Sequence, residues 1–209
     1  MSVEGVGMFV QVIKGQVSDA AQVTAAMDRW MTELAPGARG WLGSTGGVTE
    51  DGTLIALARF ESADAARQNS ERPEQDQWWS ETSKLFTGDV SFYDSDDVEV
   101  DIVGDPDAAG FVQVMRGRGG DSARARDLMS ENSDEWAAFR PEILATLSAA
   151  HADGSWTMAI YFTSEQAARE GEAKEPPEAL RAQMEEMGSL MEGEPEYFDL
   201  KQPRLDSPK

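Results

Sequence analysis

The chain has 209 residues, with 18 Lys and Arg against 39 Asp and Glu, a formal net charge of −21, no cysteine and one histidine, His151. That charge opposes phosphate backbones and anionic lipid, so neither a nucleic-acid nor a membrane partner is expected. The missing cysteines remove disulfides, thiolate nucleophiles and Cys-ligated metals, and a single histidine makes no cluster, so no metal site is expected.

No apolar run reaches the roughly 18–20 residues of a bilayer span. Met1 to Gly15 has no basic stretch followed by an apolar run and a cleavage site, which predicts a cytoplasmic protein. There are seven basic and eighteen acidic residues before Gly104, and eleven and twenty-one after it. The acidity is therefore a property of the whole surface rather than of one binding region.

Met8 to Lys14 alternates and is rich in β-branched residues, which predicts a strand. Ser18-Asp19 can cap a helix running to about Leu34, with Val23, Met27, Trp30, Met31 and Leu34 on one stripe. Pro36-Gly37 ends it. Gly40 to Val48 and Thr53 to Phe60 read as two strands of a hairpin joined by Glu50-Asp51-Gly52. Ser62-Ala63-Asp64 opens a second helix, kinked or split at Pro73, that carries Trp78, Trp79 and Leu85. Val90 to Tyr93 reads as a fourth strand, and Asp94-Ser95-Asp96-Asp97 as the start of an acidic linker over 94–101 with at most weak affinity for calcium.

The chain then repeats itself. Phe9-Val10-Gln11-Val12 returns as Phe111-Val112-Gln113-Val114, an offset of 102 residues. The same offset pairs Asp19 with Asp121, Asp51-Gly52 with Asp153-Gly154, Phe60 with Phe162, and Ala65-Ala66-Arg67 with Ala167-Ala168-Arg169. A register held over that length points to duplication. The second copy predicts strands at Phe111 to Met115, Ile143 to Ser148, Trp156 to Phe162 and Glu196 to Leu200. Helices are expected from Ser122 to about Ala138 and from Ser164 to about Met191.

The order β-α-β-β-α-β, twice, predicts an α+β chain of two ferredoxin-like repeats, 1–104 and 105–209. Each repeat leaves one sheet face bare. Packing the repeats sheet to sheet as an intramolecular, pseudo-dimeric α+β barrel would cover both faces. The expected assembly is a monomer or a weak homodimer.

A unit of this order resembles the dimeric α+β barrel superfamily. The junctions Phe60-Glu61-Ser62 with Ala66, and Phe162-Thr163-Ser164 with Ala168, add to the likeness. The Pro73-Glu74 segment and the tryptophans of the second helix resemble the antibiotic-biosynthesis-monooxygenase-like branch. The resemblance implies a cofactor-independent monooxygenase-like enzyme acting on a small aromatic or polyketide-like substrate. A polar set of Trp, Asn, Tyr and Arg would deprotonate the substrate for direct reaction with dioxygen. Carried onto this chain, that set gives Trp78, Arg59 and Asn69 as catalytic candidates. Gln11, Trp79, Gln113 and Tyr161 are substrate-binding candidates, and no cofactor is implied. Tyr161 replaces Arg59 in the second copy and Gly171 replaces Asn69, while Ala182 and Gln183 align with the Trp pair, so the lobes are not equivalent.

Each candidate has a plainer reading beside it. The repeated Gln11 and Gln113 can bond between stacked sheets and set their register. Arg59 can pair with one of the many acids, and Trp78 and Trp79 can be core. His151, next to a hairpin turn, reads as an exposed loop residue rather than an acid–base group. Gly117-Arg118-Gly119-Gly120 lacks the spacing of a phosphate loop and reads as an ordinary connection. No serine stands in a hydrolase pattern. Beside the enzyme stand a non-catalytic ligand-binding or stress-related module of the same fold and, third, a structural interaction protein.

Overall fold

The computed structural model describes residues 7–119 and 121–208. Residues 1–6, part of the stretch read for a leader, and Gly120 of the glycine-rich string lie outside the described residues. No helix among the described residues is long and apolar enough to cross a membrane.

The first repeat runs β1 (Phe9–Gln16), α1 (Ala20–Arg29), β2 (Trp41–Val48), β3 (Thr53–Phe60), α2 (Ala63–Ser70), α3 (Pro73–Thr82) and β4 (Ser91–Ser95). After β5 (Asp97–Ile102) the second repeat follows. It comprises β6 (Phe111–Arg118), α4 (Ser122–Ser130), α5 (Ser133–Phe139), β7 (Ile143–Ala150), β8 (Ser155–Phe162), α6 (Glu165–Glu172), α7 (Glu178–Leu190) and β9 (Glu196–Leu200). A short β10 (Arg204–Asp206) closes the chain. The predicted α+β class with two ferredoxin-like repeats is what the structure shows.

The duplication extends to the helix caps. Asp19 and Asp121 each cap the first helix of their repeat, and Ser62 and Ser164 each cap the next, accepting from backbone N–H groups. Pro73 splits the second helix into α2 and α3, as its missing N–H requires. Three helices expected as continuous are interrupted. After α1 the chain winds as a π-helix over Trp30–Leu34. Between α4 and α5, Asn132 turns left-handed at φ +54. Between α6 and α7, Pro176 and Pro177 break the helix.

Both sheets are antiparallel with five strands, ordered β10-β2-β3-β1-β4 and β5-β7-β8-β6-β9. The fifth strands come from segments the repeat pattern does not contain. The stretch expected as an acidic linker is instead the end of β4 and all of β5, with Ser95 Oγ accepting from the Asp97 N–H at 3.0 Å. The C-terminal β10 pairs along β2, matching Leu205 with Thr45 and satisfying an edge that would otherwise present bare peptide groups. The chain accordingly forms one compact unit from Glu99–Lys201 and another from the described residues 7–98 and 202–208, where a cut at 104 had been expected.

Each unit has a core between sheet and helices. In the first, Phe9, Ala38, Trp41 and Phe60 are buried with Trp30, Met31, Ala65 and Ala66 against them. In the second, Phe111, Phe162 and Ala168 form the corresponding centre.

The hairpin turns hold a repeated acidic group. The Thr49 hydroxyl donates to Asp51, and the Ser155 hydroxyl and N–H donate to Asp153 at 2.6 and 2.9 Å. These bonds favour the ionised forms and hold both carboxyls below the usual 3.8. A depressed folded-state pKa contributes stability above the unfolded value and loses it as pH falls through the folded one. Asp51→Asn and Asp153→Asn should therefore lower stability at neutral pH. Both should flatten its decline below about pH 4, read from urea midpoints across an acid series.

Candidate functional site

Strand alternation assigns the candidate residues to opposite sides of the sheets. In the first sheet Gln11 pairs with Ala58 on the face that holds Phe9 and Phe60, the helix-covered side. Arg59 pairs with Val10, and so lies on the other face with Leu57 and Ile55. The sheet therefore keeps Gln11 and Arg59 apart.

The two glutamines have one partner type. Gln11 Nε2 donates to Asp94 at 3.0 Å and Gln113 Nε2 to Asp199 at 2.9 Å, each to its register partner on the neighbouring strand. The bond lies within each sheet, between its own adjacent strands, where a bond between stacked sheets had been the alternative. Asp199 additionally takes Arg169.

Trp78 is buried at 7% exposure, and its indole N–H donates to the Ala26 carbonyl at 2.9 Å. The second unit repeats this bond with a different side chain. Gln183 Nε2 donates to the carbonyl of Leu128, which stands 102 residues after Ala26. Gln183 is thus the counterpart of Trp78, and the shared task is to tie the second helix to the end of the first. Trp79 packs edge-on to Phe92 at 5.4 Å and against Phe86 at 5.9 Å. Trp78 thus ties helix to helix, and Trp79 packs its helix onto Phe92 of β4.

Arg59 has no ion pair among the described residues; its Nε is buried without a hydrogen-bond partner among them. Its guanidinium lies where a Cβ on Gly43 would fall, 2.5 Å from Nη2, so the bulge glycine at φ +136 is what admits it. In the second unit Ala145 stands at the bulge and Tyr161, 4% exposed, replaces the arginine. Near Tyr161's strand lies a buried polar group that the sequence did not mark. Arg116 Nε donates to Thr157 Oγ1 at 3.0 Å, and His151 Nε2 shares a hydrogen bond of 2.9 Å with the same oxygen. His151 is buried at 8% exposure, which corrects its reading as an exposed loop residue. The hairpin folds its ring back onto Thr157 instead of leaving it in water.

One sequence candidate does line an opening. Asn69 is buried at the end of α2, and with Gly37, Arg39, Gln68 and Arg72 it lines an open cleft of about 250 Å³. Arg72 is clamped there. Its Nη1 donates to the Leu34 carbonyl at 3.1 Å and to Asn69 Oδ1 at 2.9 Å, while Glu74 takes both Nε at 3.0 Å and Nη2 at 2.9 Å. A Cβ on Gly37 would lie 2.6 Å from Arg72 Nη2, so glycine is needed for the guanidinium to sit so close to the backbone. Arg39 is exposed at the cleft mouth. Two guanidinium groups and one neighbouring carboxylate leave the cleft cationic in a chain of net charge −21. Such a site favours a small anion or an oxygen on which negative charge develops. Arg39 and Arg72 were not singled out by the sequence, since neither sits in a motif and nothing local announces that they converge.

No protein-family model and no curated protein matches the sequence. Among solved structures, a candidate monooxygenase of Fusobacterium nucleatum superposes with a TM-score of 0.72 at 8% identity, covering 97% of this chain and 95% of its own. A candidate monooxygenase of Lactobacillus acidophilus gives 0.69 at 12% identity, covering 95% and 99%. An anthrone oxidase-like protein gives 0.64 at 10% identity, covering 98% and 95%. The chain has the α+β fold of these structures. At these identities the likeness is one of fold. Within this fold the cleft of the first unit is where Asn69 meets two arginines, and the tryptophans expected beside it are committed elsewhere.

Proposed function

We propose that the protein is a cofactor-independent, monooxygenase-like enzyme acting on a small aromatic or polyketide-like phenol or enol, held in the Arg39–Asn69–Arg72 cleft. The observation that carries this reading is the meeting of Arg39 and Arg72, with one carboxylate between them, beside Asn69 at a cleft in a strongly acidic chain; the fold supports it. The guanidinium charge stabilises the enolate of an anthrone-type ketone, so the ring CH₂ loses a proton to water. The carbanion carbon then bonds dioxygen, the peroxide anion takes back a proton from water, and the hydroperoxide loses water to leave a quinone carbonyl. One dioxygen is consumed per substrate, with one oxygen atom retained and the other released as water.

Anthrone turnover followed by oxygen uptake and quinone absorbance tests this. The expected result is one dioxygen per quinone, with kcat/KM falling about 10²–10³-fold in Arg72→Gln. A smaller loss is expected in Arg39→Gln, whose side chain is solvated. Uptake unchanged in both variants would remove the cleft from the chemistry.

A second reading, a ligand-binding module without turnover, is favoured by the dispersal of Trp78, Trp79, Gln11 and Arg59 away from the cleft. Tight binding of a phenolate without oxygen uptake would decide for it.

A further inference from the structure

The second unit has a counterpart to every residue of the cleft, and all of them differ. At the offset of 102, Gly37 becomes Phe139, Arg39 becomes Pro141, Gln68 becomes Glu170, Asn69 becomes Gly171 and Arg72 becomes Lys174. The residues flanking the cleft loop change with them, Ala38 to Arg140 and Gly40 to Glu142. Three of these changes, at Arg140, Glu142 and Gly171, act together. Glu142 and Arg140 form an ion pair with side chains only 7% and 14% exposed. The pair lies against Gly171, where a Cβ would overlap Glu142 Oε1 and come within 2.5 Å of Arg140 Nε. In the first unit the Asn69 side chain occupies that place, and Gly40, at φ +72, brings no side chain at all.

We infer that the second unit's counterpart of the cleft is closed by the chain's own ion pair: Glu142 and Arg140 take the place that the Asn69 side chain takes in the first unit, and Gly171 is the space that lets them in. The open cleft of the first unit then takes its monoanion, a carboxylate or phenolate on the proposed reading, once per chain. Only this last step rests on the proposed reading of the first cleft. The closure of the second stands on its own geometry, because the ion pair is buried and Arg140 Nη2 also reaches the Ala168 carbonyl at 3.4 Å.

Glu142→Ala deletes a group the size of acetate and leaves Arg140 in place, so a small carboxylate should replace what was removed. Propionate is the probe and propionamide its uncharged control. The melting temperature of Glu142→Ala should rise by about 3–5 °C at propionate roughly tenfold above its Kd. Propionamide should do nothing, and Arg140→Met/Glu142→Ala should respond to neither. An equal response to the acid and the amide, or none to either, would overturn the inference. If Glu142→Ala does not fold in buffer, its refolding yield in propionate against propionamide gives the same two answers.

A second arm addresses the open cleft. Wild-type protein should bind one benzoate per chain, about tenfold or more tighter than benzamide, and Arg39→Gln/Arg72→Gln should bind none. Failure of this arm alone overturns the reading of the first cleft and leaves the closed second site intact.

Discussion

Replacing Trp78 with alanine should lower stability by about 3–5 kcal/mol, the cost of truncating a buried indole. The urea midpoint should shift at constant slope. Trp78→Phe should cost less, about 1–2 kcal/mol, since aromatic packing survives and the bond to the Ala26 carbonyl is lost. The loss follows from the position of the side chain: it is buried, and its only N–H is spent on the carbonyl where α1 gives way to π winding. Gln183 supports the same assignment by doing the same work in the other unit. It also accepts from Trp136 Nε1 at 3.0 Å and Asn132 Nδ2 at 3.1 Å, so Gln183→Leu should strand several buried groups at once. A Trp78→Phe protein with wild-type stability but no ligand binding would place the indole in the site instead.

Gly171→Ala should destabilise by about 1–3 kcal/mol, against the sign that helix propensity dictates. Gly171 lies inside α6, where alanine is ordinarily worth up to about 1 kcal/mol over glycine. Here the added methyl meets the Arg140–Glu142 pair, which must give way and weaken its buried bonds. Urea unfolding measures the sign. In the Glu142→Ala background the same substitution should turn neutral or stabilising, because the obstacle is gone, and the double-mutant cycle reports the coupling. An unchanged penalty in that background would mean the clash lies with the backbone. Asn69→Gly in the first unit has no such ion pair to meet and should cost only its bond to Arg72 and the propensity term.

These effects separate what was legible in the chain from what was not. Phe9-Val10-Gln11-Val12 and its copy, the Asp-Gly turns, and the Asp and Ser caps are local signals. Each acts through its own neighbours, and each appears in the structure where the repeat placed it. β5 and β10 carry no such signal. An acidic segment and a three-residue strand near the C-terminus become strands because β7 and β2 offer unpaired edges, and an edge is a property of the folded sheet. His151 was misread for the same reason: its sequence neighbours are turn residues, whereas its partner Thr157 comes from across the hairpin. Asn69 was legible as a candidate and does line the cleft. Its companions there, Arg39 and Arg72, lay 30 and 3 residues away in sequence, with nothing to mark them as meeting.

The sequence alone therefore determined the duplication, the β-α-β-β-α-β order, the inequivalence of the two copies and the acidic surface, because hydrophobic period, caps and charge are written residue by residue. Tertiary structure decided which face each polar side chain shares, which tryptophan N–H is spent on backbone, and where Asn69 meets two arginines. Those outcomes depend on contacts between residues far apart in the chain.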